Sequence, residues 1–214
     1  NIKKYKKFIK KKEKKSRINI KLIEKYLKKS SKPIFLLGNG INVSNTTIEI
    51  KKIIKKLKIP TLTTQLAKAV IEYNNNFFIG HTGPKGDRAG NLAIQNSDLI
   101  IVLGSSLHSQ VIGWEHEKFS PKSFKIQIDP DKTILKKNNF INLKINAELK
   151  FAVNQLKRLV IKRNYNKWHK KCLNWKKKYQ VILEPHQRDG KKLNFYDIVH
   201  NVSQLIPENS TIIS

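Results

Sequence analysis

Methionine is absent from the 214 residues, and cysteine occurs once. A lone thiol, Cys172, excludes an internal disulfide and suits a reducing, cytoplasmic setting. It lies between Lys171 and Trp175 in a helical pattern, which reads as a packing thiol rather than a nucleophile. Asn stands at position 1, and the last residues, "ENSTIIS", stop inside an expected strand. The chain therefore reads as a piece of a longer polypeptide, cut at both ends. No apolar run approaches the length of a membrane span, and no signal-peptide pattern is present. The longest run, "LIIVL", has the length of one strand. Several catalytic signatures are also missing: H-E-x-x-H, G-x-S-x-G and the Walker A loop. "EHE" at 115–117 is a poor metal triplet, because neighbouring side chains in a strand or loop point to different sides.

Acidic residues are scarce. Fifteen Asp and Glu face 44 Lys and Arg, a formal net charge of +29. Residues 1–32 hold 15 of the bases against Glu13 and Glu24, and residues 162–178 hold eight with no acid. Clustered base can mark a nucleic-acid binder. The extra Lys, however, runs along the whole chain together with Ile and Asn, as an AT-rich coding bias produces. No RNP-like aromatics, paired-Cys finger or helix-turn-helix accompanies the charge, so no specific nucleic-acid partner is expected.

What is present is an alternation of strands and helices. Residues 1–17 read as a basic linker. "INIKLIEKYLKKS" carries Ile20, Ile23 and Leu27 at helical spacing. "KPIFLLGNG" is a buried strand ending in a glycine turn. Thr46 and Glu49 have capping-box spacing ahead of Ile50, Ile53, Ile54 and Leu57. Pro60 stops that helix, and "TLTT", "NFFIG", "DLIIVLG", "FKIQID" and "FINLKIN" follow as strands. A helix is expected around 88–97. Another, "AELKFAVNQLKRLV", turns Leu149, Val153, Leu156 and Val160 inward. Trp168 and Trp175 share a helix face as packing anchors. "NFYDIVHNVSQLI" is expected to be capped by Asn194 and to turn Phe195, Ile198, Val199, Val202 and Leu205 inward. "STIIS" is then a strand. Strands that are apolar throughout belong to a parallel sheet buried on both faces, which gives an α/β fold with helices on both sides.

In such sheets ligands lie beyond the carboxyl ends of the strands. The candidate binding residues gather there: Gly38, Asn39 and Gly40, Thr63 and Thr64, Gly83 and Gly86, Gly104, and Asp129. Glycine admits a phosphate or ring close to the backbone, and an acid after a strand can hold a ribose hydroxyl. "GNG" is not a full G-x-G-x-x-G, since Val43 stands at the third glycine position. Tight turns alone also explain these glycines. A stand-alone NAD- or FAD-binding Rossmann-like module is the alternative reading.

"GHTGPKGDRAGNLAIQNSDLIIVLGSSL" followed by "KIQIDPDK", with "KPIFLLGNGI" and "IPTLTT" ahead of them, resembles the central domain of thiamine-diphosphate-dependent enzymes, most of all acetolactate synthase large subunits. The resemblance implies a Rossmann-like, DHS-like central domain over 18–161. It implies an interdomain linker helix over 162–193 and the start of a thiamine-diphosphate-binding domain over 194–214. It also implies a decarboxylase or carboligase acting on a 2-keto acid such as pyruvate, with thiamine diphosphate and Mg²⁺ held mainly outside this chain. No catalytic or metal-binding residue is assigned within the chain. A homodimer or homotetramer and a role in branched-chain amino acid biosynthesis are further implications. The resemblance also extends to FAD at the nine positions named above. Where the family commonly has G-x-R-F-D-D-R, this chain reads Gly104-Ser105-Ser106-Leu107-His108-Ser109-Gln110, and both arginines are gone. T-x-x-G-K-G is likewise replaced, by Thr64-Gln65-Leu66-Ala67-Lys68-Ala69.

Overall fold

The structure, a computed structural model, describes residues 18–180, 194–207 and 209–210. The expected basic linker, most of the stretch after Lys178 and the "STIIS" strand lie wholly or largely outside the described residues. Helix α1 (Ile20–Lys29) begins at Asn19, whose side chain accepts the Leu22 N–H, and buries Ile23 and Leu27. Strand β1 (Pro33–Leu37) follows and is buried throughout. Next come α2 (Gly40–Val43), α3 (Thr47–Leu57), β2 (Thr61–Thr63), β3 (Phe78–His81), α4 (Arg88–Gln95) and β4 (Leu99–Leu103). The chain continues through α5 (Ser109–Ile112), β5 (Phe124–Asp129), α6 (Lys132–Lys137), β6 (Leu143–Asn146), α7 (Leu149–Leu156), α8 (Asn166–Lys178) and α9 (Phe195–Leu205).

The six strands form one sheet in the order β3-β2-β1-β4-β5-β6. Every pairing is parallel. This is the doubly wound order, with its switch point between β1 and β4. Alternate residues of each strand feed separate cores, as the two-residue period requires. Phe35, Leu37, Ile101 and Ile126 face α1, α3 and α7, whereas Ile34, Leu36, Ile100 and Val102 face α4, α5 and α8.

Four expectations are corrected. Thr46 precedes α3 but makes no side-chain cap. Its hydroxyl instead meets Ser44 Oγ at 2.9 Å and the Ile41 carbonyl at 3.3 Å, which ties α2 to α3. Helix α7 stops at Leu156, so Val160 turns outward, and Leu159 fills the core in its place. Strand β6 alternates instead of being apolar throughout, because it is an edge strand. Finally, α9 is capped as expected, with Asn194 accepting the Tyr196 N–H at 2.9 Å, but Phe195, Ile198, Val199, Val202 and Leu205 are exposed.

Helix α8 packs on the sheet. Trp168 and Cys172 are buried in the second core, and Trp168 Nε1 donates to the Pro33 carbonyl at 3.1 Å. The Trp168 and Trp175 rings meet edge to face at 5.8 Å. Helix α8 also covers the free edge of β3. Lys176 Nζ donates to the Phe78 carbonyl at 2.8 Å, and His169 Nε2 lies 2.7 Å from the Asn76 carbonyl. Exposed strand edges invite pairing with other chains, and a covering helix prevents it.

Candidate functional site

The nine sequence-derived residues all lie along the carboxyl rim of the sheet. Gly38, Asn39 and Gly40 follow β1, and Gly104 follows β4, the two strands that flank the switch point. Their backbones grip one another. Gly38 N donates to the Leu103 carbonyl at 2.9 Å, Gly40 N to the Gly104 carbonyl at 3.0 Å, and Ile41 N to the Gly38 carbonyl at 3.2 Å. A Cβ on Gly38 would overlap the Gly104 carbonyl oxygen. One on Gly40 would stand 2.7 Å from Leu149 Cδ1 and 2.8 Å from Gly104 Cα. Gly104 has φ +64°, a conformation that favours glycine. These glycines thus let two turns approach each other.

Thr64 N donates to the Leu37 carbonyl at 2.9 Å, which joins the β2 turn to β1. Thr63 is fully buried, with its Oγ1 2.6 Å from His81 Nδ1. His81 N in turn donates to Asp87 Oδ2 at 2.6 Å. Burial holds the His81 imidazole below its ordinary pKa, and the Lys68 charge adds to this while the Asp87 carboxylate opposes it. Gly83 is clamped by Asn91, which accepts its N–H at 3.0 Å and donates to its carbonyl at 2.9 Å. A Cβ on Gly83 would strike the Gln110 carbonyl, so the turns after β3 and β4 also touch. Gly86 N closes the turn onto the Gly83 carbonyl at 2.9 Å.

Asp129 ends β5 beside Gly104, whose N–H donates to the Ile128 carbonyl at 3.3 Å. Its carboxyl is buried and accepts the Asp131 N–H at 2.8 Å. Burial pushes its pKa up; that N–H lowers it, and the Asp131 and Glu148 charges add to the rise. Gln127 and Asn138, both buried, are among the polar residues that sequence reasoning missed. Gln127 Nε2 donates to the Ser105 carbonyl at 2.9 Å. Asn138 Nδ2 reaches both Gln127 Oε1 and the Ser106 carbonyl. The one available signal was a glutamine in the middle of an apolar strand.

The rim therefore has the location of a ligand crevice, but many of its hydrogen-bonding groups are spent within it. Amides of Gly38, Gly40 and Ile41 have carbonyl partners, and Ser106 and Gln110 carry no charge to grip a phosphate. The residues present do not fit a flavin pyrophosphate. Among the described residues no group of three His, Cys, Asp or Glu could hold a metal ion, "EHE" included. No helix among them is long and apolar enough to cross a membrane. Cys172 is buried, which pushes its thiol pKa far above the ordinary value; the Lys171 charge opposes this weakly.

Fold and rim together define a Rossmann-like α/β domain with its crevice at the β1–β4 switch point. The family model for "Thiamine pyrophosphate enzyme, central domain" matches residues 20–156, from the start of α1 to the end of α7. The chain belongs to that family. Among curated proteins it is 28% identical to the acetolactate synthase large subunit of Cyanidium caldarium over 197 residues, 87% of this chain and 33% of the relative. It is 29% identical to that of Lactococcus lactis over 161 residues, 75% of this chain and 28% of the relative. It is 26% identical to isozyme 1 of Escherichia coli over 183 residues, 86% of this chain and 32% of the relative. The chain spans about a third of the length of these relatives.

Proposed function

We propose that this chain is the scaffolding middle portion of an acetolactate-synthase-like enzyme. That enzyme decarboxylates a 2-keto acid such as pyruvate and joins the two-carbon unit to a second carbonyl compound. The supporting observation is the coincidence of the family match with one complete parallel sheet, β1 to β6. Thiamine diphosphate supplies the carbanion chemistry in such enzymes. The residues described here make the rigid layer against which cofactor-binding parts pack. The whole protein acts as a homo-oligomer. The β1–β4 crevice serves as a packed joint without FAD, a reading supported by the internally bonded amides and by the uncharged Ser106 and Gln110.

A chimera tests this. Residues 18–161 replace the matching segment of the Escherichia coli isozyme 1 large subunit, and acetolactate formation from pyruvate is measured with thiamine diphosphate and Mg²⁺. The expected chimera is active and lacks flavin absorbance near 450 nm. A soluble, folded chimera without activity would reject the assignment, and a stoichiometric flavin band would reject the empty joint. The 214-residue chain alone should give no calorimetric heat with NAD or FAD; heat with either would favour the stand-alone nucleotide-binding module.

A further inference from the structure

The rim opposite the crevice is built differently. Helix α1 runs into β1 and α3 into β2 through short connections, so their last turns lie at the amino ends of the strands. Those last turns hold Lys28 and Lys29 in α1, and Lys55 and Lys56 in α3. Two contacts draw further bases to the same rim. Lys56 Nζ donates to the Lys157 carbonyl at 2.8 Å. The Arg163 guanidinium donates to the Lys28 carbonyl at 3.0 Å and to Ser31 Oγ at 2.9 Å. Two hollows lie against α3. One of about 260 Å³ is lined by Lys56, Lys58, Lys162 and Arg163. The other, of about 440 Å³, lies between Lys51, Lys52, Lys55 and Asn74–Phe77.

No acid lines either hollow. Glu72 pairs with Lys51, and Glu49 lies 3.7 Å from Lys157. The side-chain ammonium groups of Lys52, Lys55, Lys58 and Lys162 make no hydrogen bond or ion pair among the described residues. At the carboxyl rim Asp87, Asp131 and Glu148 stand at the starts of α4, α6 and α7, each with a base close behind it (Arg88, Lys132 and Lys150), while Asp98 on the amino rim is held by the Ser31 and Lys32 amides. Helix dipoles favour this polarity, with bases at helix ends and acids at helix starts.

We infer that the amino rim, from Asn74 across Lys52, Lys55 and Lys58 to Lys162, binds a nucleic-acid phosphodiester backbone without reading its sequence. Lysine side chains without a partner in two neighbouring hollows suit an extended polyanion, and asparagine side chains supply donors and acceptors for sugar and phosphate oxygens. An acidic protein would need apolar anchors as well. The apolar side chains here, Leu57, Phe77 and Ile161, already pack into or against the first core.

The test uses the whole 214-residue chain, so that the basic start is common to every variant. Binding of a fluorescent 20-nucleotide oligo-dT is followed by anisotropy across a salt series. Lys52, Lys55, Lys58 and Lys162 are changed together to Glu. A control carries Lys167, Lys170, Lys171 and Lys177→Glu on α8, with the same change of charge. The rim variant is expected to bind at least tenfold more weakly and to lose about 3 from the slope of log K against log salt, since each single-strand contact contributes about 0.7. The control should change less than threefold. Equal loss in both variants would mean diffuse attraction and overturn the proposal, as would an unaltered rim variant or no measurable binding by the parent chain. Displacement by polyglutamate at matched charge would overturn it in favour of an acidic protein. If the Glu variant does not fold by circular dichroism, the Lys→Gln version carries the same slope test.

Discussion

A methyl group on Gly38 has no room. The Gly104 carbonyl already occupies the space, and both turns are pinned by hydrogen bonds between β1 and β4. Gly38→Ala should cost about 1–3 kcal/mol or more, because the backbones must part. A lower urea midpoint at unchanged slope is the expected readout; an unaltered midpoint would show that the turns yield freely. His81 gives the chain a pH response. Its folded pKa lies below the ordinary 6.5 through burial, so the unfolded state takes up the proton first. The neutral imidazole's contribution is complete above about pH 6.5 and is lost progressively as pH falls from there towards the folded pKa. Melting of the parent chain and of His81→Gln, compared between pH 7.5 and 5, should show the parent losing more stability on acidification. Parallel curves would remove His81 from the account.

Helix α8 is the element whose role most exceeds what its sequence suggests. Trp168 is buried, as its reading as a packing anchor required, and the fold adds a hydrogen bond from its indole to the first residue of β1 that periodicity could not show. Trp168→Ala should cost about 3–5 kcal/mol through the cavity and the lost donor. Leu205→Ala on α9 should shift stability by no more than about 0.5 kcal/mol, since Leu205 is 83% exposed. Chemical denaturation of both variants checks the pair, and comparable losses would contradict the packing described. The elements also show why sequence reading succeeded in places and failed in others. Strands β1 and β4 were legible because burial on both faces forces continuous apolar residues. The face of α9 was equally legible as apolar, but periodicity says only that a face wants cover. Val160 was misplaced because the 3.6-residue pattern was extended past the real end of α7.

At the scale of the whole molecule the excess of 29 positive charges opposes compaction. Added salt screens like charges over about 10 Å at 0.1 M. Thermal midpoints should therefore rise between 10 and 150 mM NaCl. A midpoint that falls would mean that attractive pairs such as Lys157–Glu49 outweigh the repulsion.

The sequence by itself determined the class of fold and the set of rim residues. Apolar strands, helical periods and glycine turns are local patterns set by backbone geometry and burial. It also carried the likeness that the family match over 20–156 bears out. Tertiary structure alone decided what those residues do. Glycine permits close approach without naming what approaches, and here the neighbour is another turn of the same chain. Likewise, the lysines of α1, α3 and the segment after α7 are far apart in sequence. Only the parallel winding of the sheet, which sends those ends to one rim, makes them a single surface.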